Sequence, residues 1–328
     1  MTALPAGEFV PPSPGLHPVG GSGIRGAVHR GELLLHYQPI VDLRSRRPVA
    51  AEALLRWQRT DALLAPGAFW PDTTAQCARE IGQFVLDTAA GQLASWRADG
   101  LCAELSINAD PRELCPVWVA SVYDALARHR LPAGALNVEL TETSRIDPAA
   151  ASDVAAALIR HGVGVALDDA GTGFNALATI GELPLTELKI DRGFVARLGD
   201  PRADALVRAL VSLAQELGMR TVAEGIETET QAQTLEQYGV DRAQGYLFSR
   251  PVPAGELATY WRRTRGDSRG VAERMARELA VAGASAATIA AVLNRRGLLA
   301  PNGRRWRSES VLRVLAEDTG AAIPGRQG

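Results

Sequence analysis

Eight short apolar runs alternate along this chain with segments of helical periodicity, and no other feature limits its fold so tightly. The runs are Leu33–Ile40, Pro48–Trp57, Ala103–Ile107, Ala135–Leu140, Gly164–Leu167, Leu185–Ile190, Arg220–Ala223 and Gly239–Leu247. Helical stretches fall at about Phe69–Trp96, Val117–His129, Pro148–His161 and Arg202–Leu217. Such alternation implies an α/β fold with a parallel sheet. Eight strands in roughly 240 residues suit a closed (β/α)8 barrel, TIM-like in build, better than an open sheet. In a barrel of this kind the C-terminal strand ends share one face, where catalytic groups gather.

The residues at those ends are of one chemical kind. The run Gly164–Leu167 stops at two adjacent carboxylates, Asp168 and Asp169, followed by a loop with two glycines. Neighbouring aspartates repel and are costly to desolvate, so a divalent cation between them is a natural partner. An Asx-rich turn capping the next helix is the competing explanation for such a pair taken alone. The other strands tip the balance: Glu52, Asn108, Glu139, Lys189, Glu224 and Gln244 all lie within or just beyond apolar runs. Oxygen ligands without cysteine or histidine select Mg²⁺ or Mn²⁺ over zinc. One shared carboxylate, Asp168, suits a pair of ions about 3.5–4 Å apart, the arrangement that activates water for in-line attack on phosphorus. The residues therefore point to a metal-dependent phosphoester hydrolase.

Composition sharpens one position. Of 35 basic residues a single one, Lys189, is lysine. The arginine excess reflects a bias replacing lysine wherever any cation serves, so the survivor marks a place for a compact ammonium, unless it survived by chance. The three cysteines (Cys77, Cys102, Cys115) fit no metal spacing and are expected as reduced thiols. No stretch has the length and hydropathy of a membrane span, and no basic region precedes an apolar core at the N-terminus. The expected location is cytoplasmic, with no membrane partner. Residues 1–24, rich in proline and glycine, are expected to form a disordered arm.

Several motifs in order are similar to those of the EAL-domain family: Glu52-Ala-Leu54 within AEALLRW, the SIN triplet ending at Asn108, Glu139-Leu-Thr-Glu142, DDAGTG, Leu188-Lys-Ile-Asp191, Ala223-Glu-Gly-Ile-Glu-Thr228 and Gln244-Gly-Tyr246. The similarity covers residues 25–262. It implies a phosphodiesterase that opens cyclic di-GMP to linear pGpG with two Mg²⁺ or Mn²⁺ ions, working as a homodimer through the barrel. Carried over by motif, Glu52, Asn108, Glu139 and Asp168 would hold one ion. Asp168, Asp169 and Glu224 would serve the second ion and its water, and Lys189 would touch that water or the phosphate. Gln244 would position the water cluster, Glu142 would brace the loop after Asp169, and Gln38, Arg56 and Asp191 would contact the dinucleotide. The family's usual DDFGTGYSSL reads DDAGTGFNAL here, with changes at Ala170, Phe174, Asn175 and Ala176. These put rate and regulation in question, leaving open a weakly catalytic receptor for the dinucleotide.

Beyond the barrel the charge reverses. Arg262 to Arg313 carries twelve arginines against four acids, a net of +8, so with the whole chain at −2 the remainder carries −10. Residues 268–318 are expected to form a small all-α, helix-turn-helix-like module: a helix over Ser268–Val281, a turn at Gly283, a helix from Ser285 to Arg296 and a last helix capped by Ser308. The stretch from Ala287 to Leu315 resembles a helical module of large serine recombinases. Its arginines either contact DNA or are merely solvated while the helices pack on the barrel or a partner.

Overall fold

The computed structural model describes residues 23–141, 148–170, 180–295, 298, 300 and 305–316. Outside them lie residues 1–22 of the expected arm, Glu142, the loop residues 171–179, the Pro301-Asn302-Gly303 turn, Arg296, Arg304 and residues 317–318. The backbone of Asp169 is described but its side chain is not.

Among the described residues nine strands form one sheet: β1 (Leu33–Asp42), β2 (Arg47–Gln58), β3 (Leu63–Leu64), β4 (Glu104–Ala109), β5 (Leu136–Thr141), β6 (Gly164–Ala170), β7 (Glu187–Ile190), β8 (Arg220–Ala223) and β9 (Arg242–Ala243). Eight of them close a ring in the order β1-β9-β8-β7-β6-β5-β4-β2, sealed by β1–β2 pairing, while β3 extends β2. From β2 round to β9 the ring strands are parallel. β1 is the exception, antiparallel to both its neighbours. That corrects the expectation of an all-parallel sheet, and the reason is length. Four residues between Asp42 and Arg47 can make a hairpin turn, whereas a parallel crossover needs about a dozen or more.

The helices of the outer layer are α1 (Ala75–Ala98), α2 (Pro116–Arg128), α3 (Pro148–Arg160), the single turn α4 (Arg192–Val195), α5 (Pro201–Glu216), α6 (Glu229–Gln237) and α7 (Ala254–Val281). Their starts are legible in side chains that accept otherwise unpaired backbone N–H groups. Thr74 accepts from Cys77 N at α1, Asp200 from Arg202 N at α5, and Thr228 with Gln231 forms a capping box at α6. Each amphipathic helix lays its apolar face on the sheet; α1, for example, buries Ile81, Leu86, Leu93 and Trp96.

The barrel interior is layered. Side chains two apart on a strand point the same way, so β5 sends in Asn137 and Glu139, and β7 sends in Glu187 and Lys189, all at most 4% exposed. At the N-terminal ends Arg242 pairs with Glu104 (2.7 Å) and Arg220 with Glu187 (3.2 Å), while Asn137 Nδ2 donates to Glu187 Oε1 (2.8 Å). A small apolar layer of Ile40, Ala50 and Val222 lies in the interior as well. The second polar layer opens at the other end.

The C-terminal region departs from expectation in one respect. The barrel's last helix and the first helix of the module are a single element, α7, running for 28 residues. Its first half buries Trp261, whose ring meets Trp96 at 5.6 Å and whose Nε1 donates to Pro48 O. Its second half, with α8 (Ala286–Arg295) and α9 (Ser308–Ala316), encloses a separate cluster that includes Ala272, Ile289, Leu293, Trp306 and Val311. The turn at Gly283 is as expected: with φ of 81°, its N–H bonds Ala280 O while Ala284 N bonds Leu279 O.

Candidate active site

Seven strands of one direction bring their C-terminal ends to one rim, and the polar residues singled out in the sequence collect there. Asn108 and Glu139 are register partners on β4 and β5. Asp168 is on β6, Lys189 on β7, Glu224 directly after β8 and Gln244 directly after β9. Glu52 is different: it lies in the middle of the long strand β2, paired with Gln38 of β1 and Ser106 of β4. The β1–β2 hairpin rises past the rim, and Arg56 lies two pleat repeats above Glu52 on the same face.

Lys189 is the centre of the assembly. Its Nζ lies 2.6 Å from Glu139 Oε2, 2.6 Å from Glu224 Oε1, 3.1 Å from Asp168 Oδ1 and 3.7 Å from Glu52 Oε2, and the side chain is 1% exposed. Burial works against an ammonium, yet Glu139, Glu224, Glu52 and Asp168 together hold it well above its usual pKa. One cation cannot balance four carboxylates. Burial first, then repulsion from Glu52, drives the Glu139 carboxyl well above the ordinary range despite Lys189. Burial likewise pushes Glu224 up to about 7, with Asp168 and Glu52 adding to the effect.

Amides hold the carboxylates from the side. Asn108 Nδ2 donates to Glu52 Oε1 (2.8 Å), and Gln244 Nε2 donates to Glu52 Oε2 (2.7 Å) and Gln38 Oε1 (2.9 Å). Gln38 Nε2 in turn donates to Ser249 O. Gln244 can reach Glu52 because the chain turns sharply at Gly245, where a Cβ would run into the Ile226 backbone. Arg56 donates to Leu55 O, and burial draws its pKa down. Asp191 accepts from Gly193 N as the cap of α4. Tyr246 is half exposed with Arg250 stacked over its ring at 4.1 Å. This rim pair was not singled out as a site feature in the sequence, where an aromatic and an arginine four residues apart carry no particular signal.

The donor set fits hard divalent cations. It is all oxygen, it carries more negative charge than Lys189 neutralises, and some of its acceptors are unmet. Glu139 Oε1 and Gln244 Oε1 are buried without a hydrogen-bond donor among the described residues, and Asp168 Oδ1 faces Lys189 off the hydrogen-bonding direction. Among the described residues no three acidic side chains form a ready-made cage. The ammonium stands among them instead.

Residues 23–251 match the family model for the EAL domain. The chain belongs to the EAL-domain family. It is 40% identical over 242 residues to the bifunctional diguanylate cyclase/cyclic di-GMP phosphodiesterase MucR of Pseudomonas aeruginosa, an alignment covering 71% of this chain and 35% of MucR. Over 243 residues it is 35% identical to a second protein of that bacterium, named a cyclic di-GMP phosphodiesterase, covering 70% of this chain and 40% of that one. The chain thus spans about a third of the length of the curated relatives it matches. Among solved structures, the MucR phosphodiesterase in complex with c-di-GMP superposes with a TM-score of 0.67 at 38% identity, covering 71% of this chain and 97% of that one. The EAL enzyme Bd1971 in its cAMP- and cyclic-di-GMP-bound form gives 0.68 at 32% identity, covering 72% and 66%. The EAL match ends at residue 251, so α7, α8 and α9 all lie beyond it. Among the described residues no helix is long and apolar enough to cross a membrane.

Proposed function

We propose that this EAL domain hydrolyses cyclic di-GMP to linear pGpG with two Mg²⁺ or Mn²⁺ ions. One observation carries the reading: four carboxylates converge on a single buried ammonium at the mouth of a barrel similar in sequence and shape to that of the MucR phosphodiesterase bound to c-di-GMP. Glu52, Asn108, Glu139, Asp168, Asp169 and Glu224 would hold the ions, which lower the pKa of water and polarise the phosphoryl group. In the reaction, water adds at phosphorus and the P–O3′ bond breaks, leaving a 5′-phosphate and a 3′-hydroxyl. Lys189 Nζ supplies a compact positive donor to the anionic oxygens. Glu224, 2.6 Å from Lys189 Nζ, would serve the second ion and its water. Gln244 and Asn108 fix Glu52, while Gln38, Arg56 and Asp191 line the rim where a dinucleotide would lie, beside the exposed Tyr246 ring. Glu142 would brace the loop that follows Asp169. The family resemblance further implies that two barrels pair as a homodimer.

The test is to incubate the purified protein with cyclic di-GMP and Mg²⁺ or Mn²⁺ and follow pGpG by chromatography. Turnover that disappears on chelation is the expected result. Lys189→Arg keeps the charge but replaces a compact donor with a broad planar one, so turnover should fall about 100-fold or more with the fold intact. Wild-type rates in that variant would refute the role given to Lys189. Tight binding without turnover in the wild type would make the protein a receptor, as the changes at residues 170 and 174–176 would then explain.

A further inference from the structure

We propose that the C-terminal three-helix module is a duplex-DNA-binding surface, with the exposed face of α9 as its contact. The inference is independent of the hydrolase reading, since no residue of the barrel rim takes part.

Three observations carry it. First, charge is segregated: Arg262 to Arg313 holds a net of +8 on a chain whose remainder carries −10, so a polyanion is drawn to one end of the molecule and repelled by the rest. Second, four of these arginines are uncommitted. Arg274, Arg305, Arg307 and Arg313 are exposed, and none has an acidic partner among the described residues. Third, the module is a folded unit rather than a basic tail. Asn294 brackets the Trp306 backbone, donating to its carbonyl (2.9 Å) and accepting from its N–H (2.8 Å), which ties the end of α8 to the start of α9. Val311 and Val314 are sunk in the module core, so α9 turns Ser308, Glu309, Leu312 and Arg313 outward, directly after the exposed Arg305 and Arg307.

The same features choose among polyanions. A membrane surface needs a continuous apolar helix face to insert, and here the module's own core takes up the apolar faces of α8 and α9 except for the single exposed Leu312. Single-stranded nucleic acid is held by stacking bases on exposed rings. The one aromatic residue from Ser268 to Ala316 is Trp306, which is 3% exposed. What is left is a short helix entered by Arg305 and Arg307 and carrying Arg313, and a helix about 10–12 Å across fits a major groove about 12 Å wide.

Fluorescence anisotropy of the full-length protein with a mixed-sequence DNA duplex, in the absence of cyclic di-GMP, tests the proposal. Binding should weaken about 100-fold between about 50 and 200 mM salt if four arginines neutralise phosphates, since the log–log slope is about −0.9 per contact. The triple variant Arg305→Gln, Arg307→Gln, Arg313→Gln should lose affinity at least tenfold and show a slope shallower by about 2.7. Circular dichroism and the hydrolysis assay, both expected to be unchanged, establish that the variant is folded. No binding at low salt, equal binding by the variant, or preference for single strands, RNA or anionic vesicles over the duplex would each overturn the proposal.

Discussion

Lys189 shows how much a single residue can report. In a chain that otherwise uses arginine throughout, its position on β7 is explained by four carboxylates within 3.7 Å of Nζ, an arrangement that a compact ammonium meets better than a planar guanidinium. Glu113 is its counterpart in the opposite sense. This buried carboxyl lies against α1, where Gly82 leaves no room for a Cβ, and its Oε1 has no hydrogen-bond donor among the described residues. Burial, reinforced by Asp110, pushes it up to about 8. A carboxyl raised in the folded state favours folding at low pH and opposes it as pH climbs from the unfolded value toward 8. A tenfold change in proton affinity is worth about 1.4 kcal/mol, so ionising Glu113 should cost on the order of a few kcal/mol. Glu113→Gln, neutral at every pH and of equal size, should raise the unfolding midpoint clearly at pH 8.5 and little at pH 5. Thermal scans at the two pH values decide it, and an equal shift at both would show that Glu113 is not held protonated.

At the scale of elements, two features govern how the site is built. The β1–β2 hairpin reverses one strand of the ring, which sets Gln38 opposite Glu52 and lets Gln244 bridge both. The four-residue connection that forces this was present in the sequence, but alternation of strand and helix elsewhere obscured it. The long helix α7 spans the barrel and the module without a break, although it contains Gly266 and Gly270. Each costs only about 1 kcal/mol in a helix, and burial of Trp261 at one end and Ala272 and Ala276 at the other offsets that. Within the module, Asn294→Ala would leave both backbone groups of Trp306 unpaired, a loss of about 2 kcal/mol. Amides of α8 and α9 should then exchange with solvent faster while barrel amides keep their protection, as hydrogen-exchange mass spectrometry would show. Unchanged exchange would mean the bracket does not stabilise the module.

For the whole molecule the dominant quantity is unbalanced charge at the barrel mouth. The lower layer of Glu104, Glu187, Arg220 and Arg242 pairs acids with bases, whereas the upper layer sets four carboxylates against one lysine. A divalent cation held there, as proposed, would bind the folded state and not the unfolded chain, contributing about 2.7 kcal/mol at one hundred times its Kd. Adding Mg²⁺ or Mn²⁺ should therefore raise the unfolding midpoint by several degrees, and Glu52→Gln should shrink that gain. A midpoint indifferent to either metal would remove the basis for the metal assignment.

By itself the sequence determined the strand-and-helix alternation, the rim position of nearly every polar site residue, and the separation of an acidic barrel from a basic module. These follow from periodicity, residue type and composition, which are local properties of the chain. The tertiary structure decided the ring of carboxylates around Lys189 and the continuity of α7. Each of these depends on contacts between residues far apart in the chain, Glu52 with Lys189 or Trp96 with Trp261, which no local pattern encodes. Burial then did what composition could not: it turned ordinary glutamates into groups that titrate near neutrality or above.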